Sequence, residues 1–188
     1  MTLLRAADRT AVPWKNGGGV TREIAAWPPG SGFEDFAWRV SMAEIRVDGP
    51  FSTFAGVDRR LAVLEGGLRL TVHGAGVFEL SPQCAPLAFD GGVLASARLT
   101  AGPVLDLNVM TRRGVAFARI DQLVSRTELP AAPGARLVFA LADDVRVHGA
   151  GPVRLDRYDG LLTDARIDIE ASAEAQAFVI ALTTSALA

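Results

Sequence analysis

Hydrophobic and polar residues alternate along several short stretches of the chain, most clearly over residues 36–43. One set of positions in this run is wholly apolar: Phe36, Trp38, Val40 and Met42. Successive side chains of a β-strand point to opposite faces, so this alternation predicts a strand with two unlike faces. Asp48-Gly49-Pro50 then interrupts the pattern, as glycine and proline commonly do at a turn.

Two apolar runs lie on either side of Gly66-Gly67. Residues 61–65 and 68–72 are both rich in leucine and valine, and such runs across a two-residue glycine turn predict a β-hairpin. A further strand is predicted over residues 104–111, where apolar and polar positions again alternate.

The last third of the chain repeats this rhythm of short apolar runs and turn residues. Asp143-Asp144, residues 149–152 and Asp159-Gly160 separate runs that contain β-branched or aromatic residues. Many short strands at near-even spacing are typical of a sandwich or barrel. The sequence therefore predicts an all-β fold with little helix, limited to a turn or two near residues 50–54.

Composition bears on nucleic-acid binding, on the redox compartment and on membrane association. The chain has 188 residues, 49% of them hydrophobic, and a net charge of −2, so it carries no overall basic charge of the kind that binds nucleic acid. Its single cysteine, Cys84, excludes an intramolecular disulfide and fits a reducing compartment. We find no signal-peptide pattern and no apolar run of about 18 residues, so we expect a cytoplasmic protein without a membrane partner.

The sequence gives little support for a metal site or for a catalytic nucleophile. The two histidines, His73 and His148, are far apart in the sequence, and a metal site needs clustered ligands. Cys84 lies between Pro82 and Pro86 with no histidine beside it in the sequence. We therefore expect no metal, no other cofactor and no residue with a catalytic role.

Three ordered motifs carry a resemblance to a known family. They are WKNGGGVTREIA starting at Trp14, the run from FAWRVSMAEIRVDGPFS to DRRLAVLEG over residues 36–66, and DLNVMTRRG over residues 106–114. The chain resembles the HutD/Ves family, bacterial double-cupin proteins associated with histidine utilisation and stress response. The resemblance implies two stacked cupin barrels (double-stranded β-helices), a bicupin, with residues 1–115 forming the barrel that carries the motifs and residues 116–188 a degenerate one.

Arg39 and Ser41 share one face of the strand predicted over residues 36–43. Arg39 is either a solvent-facing arginine or a guanidinium that points into a barrel and holds a carboxylate in a bidentate pair. Its place in the WR-x-S part of the second motif favours the second interpretation. Arg59 and Arg60 are neighbours on another strand, so one of them is expected to face a pocket, and the sequence leaves open which one.

Asp106, Asn108 and Met110 share one face of the strand over residues 104–111. They form either an ion pair with an arginine and a polar strip, or a site in which Asp106 orients an arginine and Asn108 bonds a ligand.

The glycine-rich segment that begins the first motif also allows two interpretations. Lys15 and Asn16, followed by three glycines, form either a flexible turn anchored by Trp14 or a pocket lid that presents N–H groups and a cation to an anion. Arg22 lies in the same motif and completes the set of expected ligand-binding residues. Trp27 and Trp38 are predicted to be core residues.

Together these residues predict a pocket rich in arginine whose ligand is a small anionic metabolite. The family resemblance implies an intermediate of histidine utilisation such as N-formylglutamate, with a role in sensing or regulation. The alternatives are a metal-independent cupin enzyme, an isomerase or hydrolase acting on a similar acid, and a structural partner protein. The sequence also leaves a homodimer open.

Overall fold

The computed structural model of the protein describes residues 1–172 and 176–185. Within these ranges the regular structure is β-strand apart from one 3-10 turn at Ala6–Asp8. The strands are, in chain order, β1 (Thr2–Leu4), β2 (Ala11–Pro13), β3 (Gly19–Trp27), β4 (Trp38–Ile45), β5 (Gly49–Pro50), β6 (Val57–Glu65), β7 (Leu68–Val72), β8 (Gly76–Leu80), β9 (Leu87–Asp90), β10 (Ala95–Leu99), β11 (Val104–Arg112), β12 (Ala116–Leu123), β13 (Thr127–Leu129), β14 (Ala135–Ala140), β15 (Val145–His148), β16 (Pro152–Leu155), β17 (Gly160–Thr163), β18 (Ile167–Glu170) and β19 (Ala177–Thr184). The prediction of an all-β protein with almost no helix is confirmed, although the helical turn predicted near residues 50–54 lies instead at Ala6–Asp8.

The chain folds into two compact units. Residues 10–116, here called the motif unit, contain the sheets β2-β3-β4-β11-β6-β9 and β5-β10-β7-β8. Residues 1–9 and 117–188, the terminal unit, contain β1-β17-β14-β19-β12 and β13-β18-β15-β16. A boundary between residues 115 and 116 would leave residues 1–9 with the N-terminal part of the chain. In the structure these nine residues belong to the terminal unit.

The terminal unit holds its first nine residues by strand pairing and by ion pairing. β1 pairs with β17 in antiparallel fashion, and Arg5 Nη1 donates to Asp159 Oδ2 at 2.6 Å. The backbone N–H of Ala6 donates to the other oxygen of Asp159 at 2.8 Å. A separate apolar core of this unit includes Val138 and Leu161.

The core of the motif unit explains where its charged residues become buried. Leu61 and Val63 of β6 belong to an apolar cluster with residues of β7 and β10. Arg59 lies two residues before Leu61 on the same strand, so its side chain projects to the face that forms this core. A cation is thereby brought to the border of an apolar interior.

The predicted hairpin across Gly66-Gly67 is wrong. β6 pairs with β11 and β9 in one sheet, whereas β7 pairs with β10 and β8 in the other. Gly66 takes a φ of +81°, and the chain passes there from one sheet to the other. Long-range pairing of the nine-residue β6 with β11 has overridden the local turn signal.

Gly66→Ala is expected to destabilise the protein by about 3 kcal/mol, since a left-handed φ costs about 1 kcal/mol and the clash typically costs 1–3. A Cβ at Gly66 would lie 2.4 Å from the carbonyl oxygen of Pro103. Gly74→Ala is the matched control, because Gly74 has a φ of +77° and no atom within 4 Å of a Cβ there. Denaturant unfolding of both variants measures the difference, and equal losses would contradict a clash at Gly66.

Of the two tryptophans predicted for the core, Trp38 is 2% exposed, but Trp27 is 48% exposed. β2 pairs with β3 only at Val20, Thr21 and Arg22, which leaves the other end of β3 at an open sheet edge. Trp27 lies at that end, so the prediction of a core position for it is wrong.

Candidate functional site

Six of the ten predicted ligand-binding residues lie on one face of the sheet. The register places Met110 of β11 between Arg39 of β4 and Arg59 of β6, and Asn108 beside Ser41. Residues paired across antiparallel strands project to the same side, and so does every second residue of a strand. We call this set the arginine face: Arg39, Ser41, Arg59, Asp106, Asn108 and Met110. All six are buried, with exposures from 0% to 8%.

The register also shows which of the two adjacent arginines lies on the arginine face. Arg59 belongs to the arginine face and is 5% exposed. Arg60 pairs with Val109, which in turn pairs with Val40, so Arg60 lies on the opposite face. Arg22 pairs with Met42 and lies on that opposite face as well. The sheet therefore does not bring Arg22 and Arg60 together with the six residues.

The glycine-rich loop lies at a different place in the motif unit. Asn16 Oδ1 accepts from the backbone N–H of Gly18 at 3.0 Å, and Lys15 is exposed. Asn16 lines a small open groove together with Trp14 and Phe51. Within the part of the chain that the structure describes, no hydrogen bond or ion pair joins Lys15 or Asn16 to the arginine face.

Arg59 is a buried cation with neutral hydrogen-bond acceptors. Nη2 donates to Asn108 Oδ1 at 2.6 Å and Nη1 donates to the carbonyl oxygen of Ser52 at 3.4 Å. Nε is buried and has no hydrogen-bond partner among the described residues. Burial lowers the pKa of Arg59 to about 10, against the opposing effect of the Asp106 charge, so the guanidinium stays protonated at neutral pH.

Phenylalanine rings surround this guanidinium. The ring centroids of Phe51, Phe89 and Phe54 lie 5.0, 5.2 and 5.8 Å from the Arg59 Cζ atom. At such distances the rings attract a cation through their quadrupoles, and they also exclude water. Any charge that reaches Arg59 would therefore interact with it in a poorly screened environment.

Asp106 is linked to Arg59 through Asn108. Asn108 Nδ2 donates to Asp106 Oδ1 at 2.6 Å, whereas Asp106 Oδ2 is buried and has no hydrogen-bond partner among the described residues. Complete burial raises the pKa of Asp106 to about 7, although the Arg59 charge and hydrogen bonds from Ala43 and Asn108 act against the rise. At neutral pH the carboxyl group is thus partly protonated.

Arg39, the second guanidinium of the face, has an ionic partner. Nε donates to Glu23 Oε2 at 2.8 Å and Nη1 donates to Ser41 Oγ at 3.2 Å. The Phe33 ring lies 4.7 Å from the Arg39 Cζ atom and stacks on Phe54 with centroids 5.6 Å apart. The stacked pair of Phe33 and Phe54 thus connects the surroundings of the two arginines.

Sequence reasoning missed Glu23 and the four phenylalanines. Glu23 stands next to Arg22 in the first motif, and alternation along a strand does place the two on opposite faces. Which of them faces Arg39 depends on the pairing of β3 with β4, where the register shifts between Glu23 and Ala25. The phenylalanines come from loops and from β9, where no sequence period marks a common site.

Among the described residues there is no group of three or more histidine, cysteine or carboxylate side chains placed to hold a metal ion. In the same part of the chain we find no helix with the length and apolar character needed to cross a membrane.

Comparisons with solved structures define the class of protein. A cupin 2 conserved barrel domain protein from Leptotrichia buccalis aligns with a TM-score of 0.61 at 13% identity, over 92% of each chain. A likeness at this identity shows the fold alone, and that fold is a cupin-like, all-β one.

Closer relatives define the family. HutD from Pseudomonas fluorescens SBW25 has a TM-score of 0.87 at 35% identity over 98% of each chain. An uncharacterized 21.2 kDa protein in the hutC 3′ region of Pseudomonas putida is 40% identical over 86% of this chain and 85% of its own. Protein Ves from Citrobacter koseri is 40% identical over 57% of this chain and 56% of its own. Residues 6–181 match the family model HutD, and the chain belongs to the HutD family.

Proposed function

We propose that the protein is a metal-free binder of a small carboxylate such as N-formylglutamate, and that this binding serves sensing or regulation in histidine utilisation. One observation carries the proposal. Arg59 is a buried, charged guanidinium whose hydrogen-bond acceptors are neutral and whose Nε lacks an acceptor among the described residues.

The energetics of Arg59 favour an anionic ligand. An ion removed from water loses several kcal/mol of hydration, and neutral acceptors return only part of it. A carboxylate brought to the guanidinium would supply the missing charge and accept hydrogen bonds in a fork geometry. The phenylalanines around Arg59 would strengthen this attraction by excluding water.

Two arginines on one face suit a ligand with two carboxylates. Arg39 and Arg59 lie on strands on either side of β11, so their Cα atoms are about 10 Å apart at a strand spacing of about 4.8 Å. Arg59 bonds Asn108 of β11 and Arg39 bonds Glu23 of β3, so a ligand that joined both guanidiniums would reach across β11. N-formylglutamate has two carboxylates, one for each arginine.

The relatives' names support the place in metabolism. The Pseudomonas putida relative is described by its position near hutC, and the Pseudomonas fluorescens relative is named HutD. A chain with a single cysteine also suits the proposed cytoplasmic setting.

An arrangement of two barrels is part of the same proposal. We place one cupin-like barrel in each unit, the motif unit with the ligand site and the terminal unit as the degenerate barrel. Support comes from the two antiparallel sheets within each unit.

Calorimetric titration with N-formylglutamate tests the proposal. Arg39→Ala is expected to weaken binding at least about tenfold, because a hydrogen bond to a charged group contributes about 1.5–3 kcal/mol. Arg39→Lys is expected to bind poorly as well, since an ammonium group does not reproduce the planar fork. Equal affinities in all three proteins would place Arg39 outside the site. An absence of binding by the wild type would refute this ligand.

Asp106 favours a second candidate, a metal-independent enzyme acting on a similar acid. A buried carboxyl with a pKa raised to about 7 has the protonation behaviour of a general acid or base at neutral pH. Its free Oδ2 is the atom that would exchange the proton. Incubation with N-formylglutamate followed by NMR distinguishes the two functions, because a binder leaves the acid unchanged and an enzyme converts it.

A further inference from the structure

Glu23 lies on the neighbouring strand β3, next to the arginine face. It pairs with Ser41 of β4, so its side chain projects to the same side as that of Arg39. Its Oε2 accepts from Arg39 Nε at 2.8 Å. The Glu23 side chain is 43% exposed and that of Arg39 is 10% exposed, so the carboxylate is the more solvent-accessible member of the pair.

The two arginines of the face therefore differ in electrostatic state. Arg59 has neutral acceptors, whereas Arg39 already has a full negative charge on its Nε edge. The other donors of Arg39 are Nη1, which bonds Ser41, and Nη2, which has no hydrogen bond among the described residues. An anion that approaches Arg39 meets the Glu23 carboxylate on the same guanidinium.

We propose that Glu23 is an internal competitor that holds Arg39 and that the second carboxylate of a ligand must displace. This inference rests on the proposed function of the arginine face, and it makes Glu23 the residue that sets the preference between one and two carboxylates. A monocarboxylate binds at Arg59 without disturbing the Glu23–Arg39 pair. A dicarboxylate gains Arg39 but has to break that pair or to place two anions side by side, which is unfavourable for like charges.

Glu23→Gln separates charge from shape. The amide oxygen of glutamine still accepts from Arg39 Nε, so the arginine keeps its position while the competing charge is removed. Part-exposed ion pairs contribute about 0.2–1 kcal/mol, so removal of the competitor should tighten dicarboxylate binding by up to about fivefold.

The experiment is a calorimetric titration with two probes of equal chain length, glutarate with two carboxylates and pentanoate with one. Glu23→Gln is expected to tighten glutarate binding and to leave pentanoate binding unchanged. The gain for glutarate should disappear when Arg39→Ala is combined with Glu23→Gln, since no guanidinium is then left to compete for. Glu23→Ala provides a second variant without the charge, should the glutamine variant fold poorly.

Glu44→Gln is the matched control. Glu44 accepts from Arg46 Nε at 2.8 Å, the same type of pair at the same distance, but it lies on the opposite face of the sheet. This variant should leave the affinity for both probes unchanged.

The outcomes separate this inference from the function on which it rests. Glutarate binding that Arg59→Ala abolishes but Glu23→Gln leaves unchanged overturns the role of Glu23, while the ligand site stands. Equal tightening by Glu23→Gln and Glu44→Gln also overturns it, because the effect would then follow net charge alone. No binding of either probe or of N-formylglutamate, by the wild type or by Glu23→Gln, overturns the inference and the proposed function together.

Discussion

Arg59→Ala is expected to weaken binding of N-formylglutamate by at least about 30-fold, because loss of one partner from a buried charge pair costs about 2–5 kcal/mol. The expected loss exceeds that for Arg39, since the direct acceptors of Arg59 are neutral whereas Arg39 already pairs with the Glu23 carboxylate. Arg59→Lys should restore only part of the affinity, as it keeps the charge but not the fork. Calorimetric titration measures all three proteins.

Arg60→Ala is the control for this experiment. The two arginines are adjacent in β6 and carry the same charge, but Arg60 pairs with Val109 on the opposite face of the sheet. Arg60→Ala should therefore bind the acid as the wild type does. If both alanine variants bind with wild-type affinity, the ligand does not contact Arg59; if both lose affinity equally, the effect is one of overall charge.

Asp106→Asn is expected to change how stability depends on pH. The folded pKa of Asp106 is raised from 3.8 to about 7 by burial, so the folded protein holds a proton that the unfolded chain releases in this range. The unfolding free energy of the wild type, relative to Asp106→Asn, should therefore fall by about 4 kcal/mol as the pH rises through this range. Denaturant unfolding at a series of pH values measures the difference.

Asp90, an exposed carboxylate, provides a control for which the change of stability with pH has the opposite sign. A backbone hydrogen bond from Gly92, followed by contact with Arg113, lowers the pKa of Asp90. Its stabilising contribution is present above the ordinary pKa and is lost as the pH falls through the folded one. The advantage of the wild type over Asp90→Asn should therefore grow with rising pH. A pH-independent difference between the wild type and Asp106→Asn would contradict a raised pKa at Asp106.

Alternation within single strands was enough to predict which residues of one strand share a face of the sheet. The period of two in β11 placed Asp106, Asn108 and Met110 on one face, and the register confirms this. It also required Arg59 and Arg60 to lie on opposite faces, but it left open which of them joined the others. That choice depends on how β6 pairs with β11, two strands about 45 residues apart in the sequence, and no local pattern encodes such a pairing.

Errors arose where long-range pairing outweighed a local signal. The two glycines at positions 66 and 67 have the composition of a hairpin turn, yet the strands around them joined different sheets. Trp27 has the character of a core residue, yet it lies at a strand end without an outer neighbour. In both cases the deciding factor was which strands lie side by side, and that is a property of the whole sheet.

The sequence by itself determined the all-β class, the scarcity of helix and the strands that bear the polar residues, because these follow from local periodicity. It also determined the family resemblance, because that follows from short sequence motifs. The tertiary structure decided that Arg59 is buried among phenylalanines and bonded to neutral acceptors, that Asp106 titrates near neutrality, and that Glu23 pairs with Arg39. Burial and charge pairing depend on distances between atoms that are remote in the sequence, and folding alone sets those distances.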